Sequence, residues 1–293
     1  MIMAQEKETR IALFIPTYNA GDSWADLLNA LQQQSLKPNI FAVIDSSSSD
    51  ATVQLAKNQG AEVLNIAQKE FTHGLARHRL TESFPDNDIF IFMTQDAMPA
   101  SDQSLANLVK AFDDNAVGVA YGRQLPRLAA GPIERQERLF NYPEVSSVRS
   151  EADIPRLGFK TIFCSNSFAA YRKTAYLESG GFPPEAQFGE DTILTAKIIN
   201  KGWKIAYVAD AIVIHSHGYN LAEEAARYRE IGKFHRRNQW LFENFGKPGK
   251  EGFKLLFSQL LFVLKNNPIS LPLVPIRIAN KWLAYKKGFW ERS

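Results

Sequence analysis

The stretch IFIFMTQDAMP, residues 89–99, decides the fold class of this 293-residue chain. Its first five residues are all apolar, which is typical of a short strand that is buried on both faces of a sheet. The run then ends on Gln95 and Asp96, shortly before Pro99. A buried strand that ends on a carboxylate places charge at the mouth of a site. The stretch therefore raises two questions: what Asp96 holds, and why an amide stands beside it.

Strands and helices alternate at short spacing around this stretch. The segments IALFIP (11–16), IFAVID (40–45) and AEVLNI (61–66) predict three further strands. The first is followed by an amphipathic helix over about 22–34, with Trp24, Leu27, Leu28 and Leu31 on one face. This order predicts an α/β fold with a doubly wound, mainly parallel sheet. The long Pro-containing stretch 125–160 is typical instead of a mobile flap.

Polar clusters follow each of the four strands. They are PTYNAG (16–21), DSSSSD (45–50), FTHG (71–74) and TQDA (94–97). In open α/β sheets, ligands bind beyond the carboxyl ends of the strands, so these four loops predict one ligand site. The sequence contains neither a GxxxxGK[ST] phosphate loop nor a GxGxxG dinucleotide motif. We therefore expect side chains and a metal, rather than a glycine cradle, to hold the ligand.

Five motifs in order carry a family resemblance. IPTYNAG, VIDSSSSDAT, MTQDA, GEDT and HSHG, spread over about residues 10–220, resemble an inverting family 2 glycosyltransferase with the GT-A fold. The pair FTHGLAR and MTQDAMP is similar to the bacterial rhamnosyltransferase branch, in which Gln-Asp-Ala replaces the usual Asp-x-Asp. The resemblance implies a donor of the dTDP-L-rhamnose type. It also implies an acceptor on a growing surface polysaccharide or lipid-linked glycan.

The loops after the first two strands are predicted to bind the donor nucleotide. Asp45 is placed to accept a hydrogen bond from the N–H of a uracil or thymine ring, although an Asx cap of the Ser-rich turn would also explain it. Thr17 and Asn19 are placed to touch base or ribose, and turn chemistry alone would explain Asn19. Pro16 and Ser47 belong to the same two loops and are included in the predicted donor site.

Asp96 is predicted to bind a divalent metal, Mg²⁺ or Mn²⁺. A single carboxylate can do so when substrate phosphates supply further oxygen ligands, and the metal then stabilises charge on the leaving diphosphate. Gln95 would hydrogen-bond sugar or phosphate without adding charge. His215 or His217 could complete the site, and the resemblance favours His215. The alternatives are a helix-capping role for Asp96 and structural roles for the histidines.

The segment after the third strand is also assigned to the donor. In the resembled branch this stretch lines the donor site, which implies that His73 and Arg77 do so here. Arg77 could pair with a phosphate. An exposed helical arginine is the alternative.

Asp191 in GEDT matches the family's base position, and Glu190 is its competitor. An inverting transfer needs one carboxylate to take the acceptor proton. A helix N-terminus would lower the pKa of Asp191, whereas burial or Glu190 could raise it. The two acids could instead be first-turn residues of a helix without a catalytic role. Asn166 and Ser167 are predicted to orient the acceptor.

Charge divides the chain into two parts. Residues 226–293 carry 14 Lys and Arg against four Asp and Glu, a net charge of +10, whereas the remainder carries −7. We therefore predict a glycosyltransferase domain over 1–225 and a basic, amphipathic, helical segment over 226–293. The single cysteine, Cys164, and a polar start without an apolar core predict a reducing compartment and no secretory signal.

The basic segment is predicted to lie on the inner face of the cytoplasmic membrane. The apolar run around 253–264 is too short to span a bilayer, and NKWLAYKKGFW (280–290) mixes aromatic and basic residues. Such a mixture suits an anionic lipid headgroup boundary. The alternative is packing on the catalytic domain or in a dimer. The segment contains no recognisable nucleic-acid module, so no nucleic-acid partner is expected.

Two rival functions remain open from the sequence. The transferred sugar could be galactose, galactofuranose or an N-acetylhexosamine rather than rhamnose. The protein could also be a non-catalytic module that binds a nucleotide sugar. The presence of Asp96, Asp191 and His215 argues against a non-catalytic protein.

Overall fold

The computed structural model of the chain describes residues 8–247 and 250–291. The strands are β1 (Ile11–Thr17), β2 (Ile40–Asp45), β3 (Glu62–Asn65), β4 (Ile89–Met93), β5 (Met98–Pro99), β6 (Val117–Leu125), β7 (Ser147–Arg149), β8 (Phe168–Arg172) and β9 (Lys204–Ile214). The first helices are α1 (Ser23–Gln32), α2 (Thr52–Asn58), α3 (His73–Ser83), α4 (Ser104–Val109), α5 (Pro132–Asn141) and α6 (Ile154–Leu157). They are followed by α7 (Lys173–Glu178), α8 (Glu190–Asn200), α9 (Leu221–Arg237), α10 (Trp240–Phe245), α11 (Lys250–Asn266) and α12 (Leu273–Trp290).

The strands of the described ranges form one sheet in the order β3-β2-β1-β4-β8-β6-β9-β5, and β7 pairs with β9. Strands β1 to β4 are joined by parallel pairings, and so are β6 and β9. Strand β8 runs antiparallel to both β4 and β6, so these two point the same way. The predicted mainly parallel α/β sheet is confirmed, and the carboxyl ends of β1, β2, β4, β6 and β9 share one edge.

Two apolar layers cover the two faces of the sheet. Phe14, Phe90 and Phe92 lie in one layer with aromatic residues of β8 and the segment after α7. Leu13 and Ile15 point to the opposite layer, because successive side chains of a strand alternate between faces. In that layer they meet the predicted face of α1, Trp24, Leu27, Leu28 and Leu31, all of which are buried. Each such fully buried side chain contributes about 1.5–3 kcal/mol.

The prediction of a flap over residues 125–160 was wrong. This stretch contains α5, β7 and α6. Helix α5 begins at Pro132, where a fixed φ favours the first helical turn and the missing N–H is not needed. Its residue Ile133 is buried with Val263 of α11 and Val274 of α12 in a third, small apolar cluster.

The C-terminal helices pack on the sheet domain through α5 and α9. Helix α12 lies against α9, and the backbones come closest at Gly232 and Gly288. A Cβ on Gly232 would lie 2.2 Å from the carbonyl oxygen of Tyr285, so the crossing needs glycine. Helix α9 runs without interruption through residues 225 and 226, so the charge boundary found in the sequence lies within a helix.

Candidate active site

The ends of β1, β2 and β4 surround a cavity of about 340 Å³. Its lining consists of Pro16, Thr17, Tyr18, Ser46, Gln68, Phe71, His73, Arg77, Thr94 and Gln95. The predicted donor residues Pro16, Thr17, His73, Arg77 and Gln95 are thus brought together. Asp45, Asn19 and Ser47 lie in the same loops but are not among the residues that line this cavity.

The carboxylate of Asp45 is occupied by the turn that follows β2. It accepts hydrogen bonds from the Ser48 N–H at 2.8 Å, the Ser48 hydroxyl at 2.6 Å and the Thr17 hydroxyl at 3.0 Å. Asn19, in the loop after β1, also bonds to this turn: its Oδ1 accepts a hydrogen bond from the Ser49 N–H at 2.8 Å. These are the turn interactions that the sequence offered as alternatives. Contact of either residue with a base stays a prediction.

Asn19 and Ser47 share an unusual backbone conformation. Their φ angles are 41° and 67°, in the left-handed region that residues other than glycine seldom adopt. Hydrogen bonds from Asn19 to Ser48 and from Ser49 to Asn19 join the two loops at this point. Strained residues of this kind concentrate at ligand sites. The backbone therefore supports a binding role for this edge of the cavity.

Gln95 does not leave its amide free for a ligand. Its Oε1 accepts a hydrogen bond from the Tyr18 N–H at 2.8 Å, and its Nε2 donates to the Tyr18 carbonyl oxygen at 3.0 Å. The side chain therefore joins the ends of β1 and β4. The expected hydrogen bond from Gln95 to sugar or phosphate is not needed to explain this residue, although Gln95 does line the cavity.

Asp96 lies beside two histidines that follow β9. His215 Nε2 is 3.3 Å from Asp96 Oδ1, and His217 Nδ1 is 3.6 Å from Asp96 Oδ2. One ligand atom from each residue lies within 4.8 Å of the others. A carboxylate and two imidazoles suit Mn²⁺ and other divalent ions that accept mixed oxygen and nitrogen ligands. The donor set therefore fits the predicted metal, with both histidines present rather than one.

Gln124 of β6 fixes the orientation of His215. Its Oε1 lies 2.9 Å from His215 Nδ1 and also accepts a hydrogen bond from Arg138 at 2.6 Å. An amide oxygen can only accept, so Nδ1 carries a proton and Nε2 is the nitrogen that faces Asp96. Hydrogen bonds of this kind set the tautomer of metal-binding histidines. Neither Gln124 nor Arg138 was identified from the sequence.

The electrostatics of this cluster favour a charged Asp96 and a neutral His217. Burial alone would raise the pKa of Asp96, but the hydrogen bond and charge of His215 outweigh it, so the pKa lies well below its ordinary value. Burial, together with the charge of His215, lowers the pKa of His217 to about 4. Asp96 is therefore charged and His217 neutral near pH 7, as metal ligation requires.

Arg77 is buried in an ion pair. Its guanidinium lies 3.2 Å from Glu190 Oε1 and 3.2 Å from His73 Nδ1. Arg77 is only 2% exposed, so the alternative of an exposed helical arginine is wrong. Arg77, His73 and Thr94 line both the small cavity and a second cavity of about 590 Å³. Arg77 thus lies where the two cavities meet, and a contact with phosphate stays a prediction.

The two acids at the start of α8 have different environments. Burial opposes ionisation of Glu190, but the charge of Arg77 and a 2.9 Å hydrogen bond from Asn166 Nδ2 outweigh it and lower the pKa. Burial and the charge of Glu190 raise the pKa of Asp191 to about 6. The hydrogen bonds that Asp191 accepts from the backbone of Asn166 and Thr192 only partly oppose this. Two neighbouring carboxyls with pKa values pushed apart are typical of an acid–base site.

Asn166 holds the two acids rather than presenting a free side chain. Its N–H donates to Asp191 and its Nδ2 to Glu190, while its Oδ1 accepts a hydrogen bond from Tyr171 at 2.7 Å. Ser167 lies next to it and lines the larger cavity. The predicted acceptor contacts of Asn166 and Ser167 stay predictions.

The larger cavity connects the metal-binding cluster with the proposed base. Asp96, His215 and His217 line it together with Glu190 and Asp191. The rest of its lining comes from α5, α9 and α12, in residues that the sequence did not single out: Glu134, Glu137, Arg138, Asn141, Glu224, Arg227, Tyr228, Ile231 and Lys281. No local motif marks them, because they belong to helices that meet only in the folded chain.

Known proteins place this arrangement in a family. The family description "Glycosyl transferase family 2" matches residues 12–180. The chain is also 44% identical to the O-antigen chain rhamnosyltransferase RfbN of Salmonella typhimurium, with 96% of this chain and 90% of the relative covered. The chain belongs to glycosyltransferase family 2. The predicted family and enzyme class are confirmed.

Further similar proteins agree with the assignment to glycosyltransferase family 2 and with the GT-A fold. The O-antigen chain rhamnosyltransferase WbaN of Salmonella anatum is 40% identical, with 95% of this chain and 89% of the relative covered. A mannosyltransferase of Pyrobaculum calidifontis, solved with GDP-Man and Mn²⁺, is 17% identical with a TM-score of 0.66, covering 98% of this chain and 89% of that one. S. aureus TarS with UDP-GlcNAc has a TM-score of 0.55 at 15% identity, with 96% and 90% covered. The structural likeness confirms the GT-A fold.

Proposed function

We propose that this glycosyltransferase transfers L-rhamnose from dTDP-L-rhamnose, with inversion, to a surface-polysaccharide or lipid-linked glycan acceptor. The observation that carries the proposal is that Asp191, with its raised pKa, and the Asp96–His215–His217 cluster line one cavity. The choice of sugar is supported by the two O-antigen chain rhamnosyltransferases, each covered along about nine-tenths of its length. Rhamnose thereby gains support over galactose, galactofuranose and N-acetylhexosamines.

In the mechanism, the nucleotide occupies the small cavity and the diphosphate lies near Asp96. A divalent metal, Mg²⁺ or Mn²⁺, held by Asp96, His215 and His217 would stabilise negative charge on the leaving diphosphate. Arg77 is buried at the junction of the cavities and adds positive charge there. Asp191 removes the proton from the acceptor hydroxyl, and that oxygen attacks the anomeric carbon opposite the diphosphate. Glu190 stays ionised, because it is paired with Arg77.

The two parts of the chain have different main tasks in this proposal, although both line the larger cavity. Residues 1–225 provide the donor site and the catalytic carboxylates, and 226–293 provide the basic helical segment. No helix in the described ranges is long and apolar enough to cross a membrane. Helices α11 and α12 and the turn between them nevertheless expose large apolar side chains: Phe257, Leu261, Leu264, Ile269, Leu273, Ile276, Trp282, Leu283 and Trp290. Exposed patches of this kind mark interaction surfaces.

This exposed surface is proposed to bind anionic lipid on the inner face of the cytoplasmic membrane. Lys265, Lys286 and Lys287 lie on the same two helices, and aromatic and basic residues together suit the headgroup region. The opposite faces of α11 and α12 bury Val263 and Val274 against α5. One face of these helices therefore packs on the catalytic domain, as the alternative proposed. The membrane would cover the other face. A lipid-linked acceptor would bring the enzyme to this location.

A donor panel tests the proposed reaction. Wild-type protein is heated with Mn²⁺ and dTDP-L-rhamnose, UDP-glucose or UDP-GlcNAc, and the shift in Tm is measured, since a true donor stabilises by mass action. We expect the largest shift with dTDP-L-rhamnose. Equal or reversed shifts would contradict rhamnose as the sugar. Binding without transfer or hydrolysis of any donor would favour the non-catalytic module.

A further inference from the structure

The larger cavity extends well beyond the groups needed for the donor. From Asp191 it continues between α5 and α9 to Lys281 on α12. Its far half is lined by charged and aromatic side chains, among them Glu137, Glu224 and Tyr228. At about 590 Å³ the cavity has room for more than the one sugar ring of the donor, since pockets for drug-sized ligands range from about 300 to 1,000 Å³.

Glu224 is the most unusual group in this half of the cavity. It is only 5% exposed, and its Oε1 pairs with Lys281 Nζ at 3.2 Å and Arg277 at 3.5 Å. Its second oxygen, Oε2, is buried without a hydrogen-bond partner among the described residues. A buried polar atom left without a partner costs about 1–3 kcal/mol, and more when it is charged. A ligand that donates a hydrogen bond would remove this cost.

Aromatic rings stand beside this carboxylate in the same cavity. The ring of Tyr219 stacks on His217, with centroids 5.0 Å apart and planes at 27°. The guanidinium of Arg227 lies over the ring of Tyr219 at 5.9 Å, and the ammonium of Lys281 lies over Tyr228 at 5.4 Å. Apolar ring faces with a few fixed polar groups are typical of small-molecule sites. A sugar has matching features, namely C–H faces and outward hydroxyls.

We propose that this half of the cavity binds the acceptor glycan. Glu224 Oε2 accepts a hydrogen bond from a hydroxyl of the acceptor sugar, and the ring of Tyr219 packs on a face of that sugar. The inference rests on the proposed function, since only a transferase needs a second sugar site beside Asp191. The sugar that meets Glu224 is a neutral hexose, because a uronic acid would place a second carboxylate against Oε2, which has no hydrogen-bond partner among the described residues.

The experiment separates acceptor binding from donor binding. The dTDP-L-rhamnose Kd is measured calorimetrically with Mn²⁺, and acceptor KM and kcat are measured with octyl glycosides of glucose, galactose, mannose and N-acetylglucosamine. For Glu224→Gln we expect the acceptor KM to rise about 10- to 100-fold, as for the loss of a hydrogen bond to a charged group. The donor Kd should stay within about twofold, because Glu224 lines the larger cavity and is not among the residues that line the small donor cavity.

A matched control removes one of the two cations that pair with Glu224 and leaves the residues that line the larger cavity unchanged. Arg277 pairs with Glu224 Oε1 but is not among the residues that line the larger cavity. If Glu224 only stabilises the helices, Arg277→Met should raise the acceptor KM as Glu224→Gln does. If Oε2 binds the acceptor, Arg277→Met should change the KM little. The wild type should also have a much higher KM for the uronide of its best octyl glycoside than for the glycoside itself. In Glu224→Gln the ratio of these two KM values should be smaller.

A second pair of variants decides the matter if Glu224→Gln does not fold. Tyr219→Ala should raise the acceptor KM, and Tyr219→Phe, which keeps the ring, should not. An unchanged acceptor KM in folded Glu224→Gln, or in Tyr219→Ala, overturns the inference. So does a wild type that binds the donor yet neither glycosylates any of the four glycosides nor binds them in saturation-transfer NMR. A wild type that fails to bind any nucleotide sugar overturns the proposed function instead.

Discussion

Gln95 pairs both of its amide atoms with the backbone of Tyr18, which lies 77 residues earlier in the chain. Oε1 accepts from the N–H and Nε2 donates to the carbonyl oxygen, so one side chain closes the gap between the ends of β1 and β4. An ionised Asp or Glu has no hydrogen to donate. An amide therefore stands beside Asp96 because this position needs both a donor and an acceptor.

We expect Gln95→Glu to weaken donor binding. The substitution removes the donated hydrogen bond and places a carboxylate against the Tyr18 carbonyl oxygen, at a cost of about 1–3 kcal/mol. The donor cavity contains Thr17 and Tyr18, so the dTDP-L-rhamnose Kd should rise about tenfold by calorimetry, as 1.4 kcal/mol corresponds to a factor of ten. Gln103→Glu is the control, because Gln103 Oε1 only accepts, from the Ser35 hydroxyl. Unchanged donor affinity in Gln95→Glu would show that the link is dispensable.

The metal site gives a second prediction. Asp96→Ala should abolish the part of nucleotide binding that depends on metal, because it removes the carboxylate from the cluster. Donor titrations with and without EDTA in wild type and variant measure this. Gln124→Leu, which removes the orienting hydrogen bond of His215, should weaken Mn²⁺ binding by about 10- to 100-fold. If EDTA leaves donor binding to the wild type unchanged, Asp96 has a structural role.

The two acids of α8 should respond differently to amide substitution. Asp191→Asn should lower turnover by about 10²–10⁴-fold, the usual contribution of a general base, with little change in donor affinity. Glu190→Gln should instead reduce stability, by about 3–5 kcal/mol, because Arg77 loses its buried partner. Single-turnover rates and urea unfolding distinguish these results. Near-normal turnover in Asp191→Asn would move the base elsewhere.

The raised pKa of Asp191 predicts how turnover and stability depend on pH. Turnover needs the ionised form, so kcat/KM should rise with pH and level off above about 6. Because the folded protein holds this proton more tightly than the unfolded chain, Asp191 reduces stability as pH rises from about 4 through about 6. Asp191→Asn should therefore stabilise the protein at pH 8 relative to pH 4, by roughly 2–3 kcal/mol. Equal effects at both pH values would show an unshifted carboxyl.

The strand ends were predictable, because local patterns mark them. The buried run before Gln95 and the HSHG after β9 fix where Asp96, His215 and His217 emerge, and a parallel sheet brings such ends together. The different states of Glu190 and Asp191 were not predictable. They depend on burial of both acids and on Arg77, which lies on α3 and forms its ion pair with Glu190.

Helix α5 was missed for a related reason. Only Ile133 and Gln136 of its ten residues are buried, so it offers little apolar surface to the core. Its partners lie far along the chain: Gln136 donates to Ser258, and Glu137 pairs with Lys281. Polar contacts between residues so far apart leave no local mark in the sequence. The far half of the larger cavity, which α5 helps to line, was therefore invisible in the sequence.

The exposed surface of α11 and α12 leads to the last prediction. Removing the two helices would expose Ile133 and break the cluster with Val263 and Val274, so truncation would confuse folding with lipid binding. Substitution of exposed residues avoids this. Phe257, Leu261 and Trp282 are 65%, 55% and 58% exposed, and replacing all three with serine should leave the core intact.

In a flotation assay, wild-type protein should rise with anionic vesicles at low salt, and less so at high salt, because the basic residues are screened. The triple serine variant should remain at the bottom, since each large apolar side chain inserted in lipid contributes about 1.5–3 kcal/mol. The control replaces Leu128, Val145 and Leu177 with serine, which are also exposed but lie outside the C-terminal helices. It should float like wild type. Two results would contradict membrane binding through this surface: flotation of the triple variant, or wild type that stays at the bottom at low salt. The surface would then remain for contact between two copies of the chain.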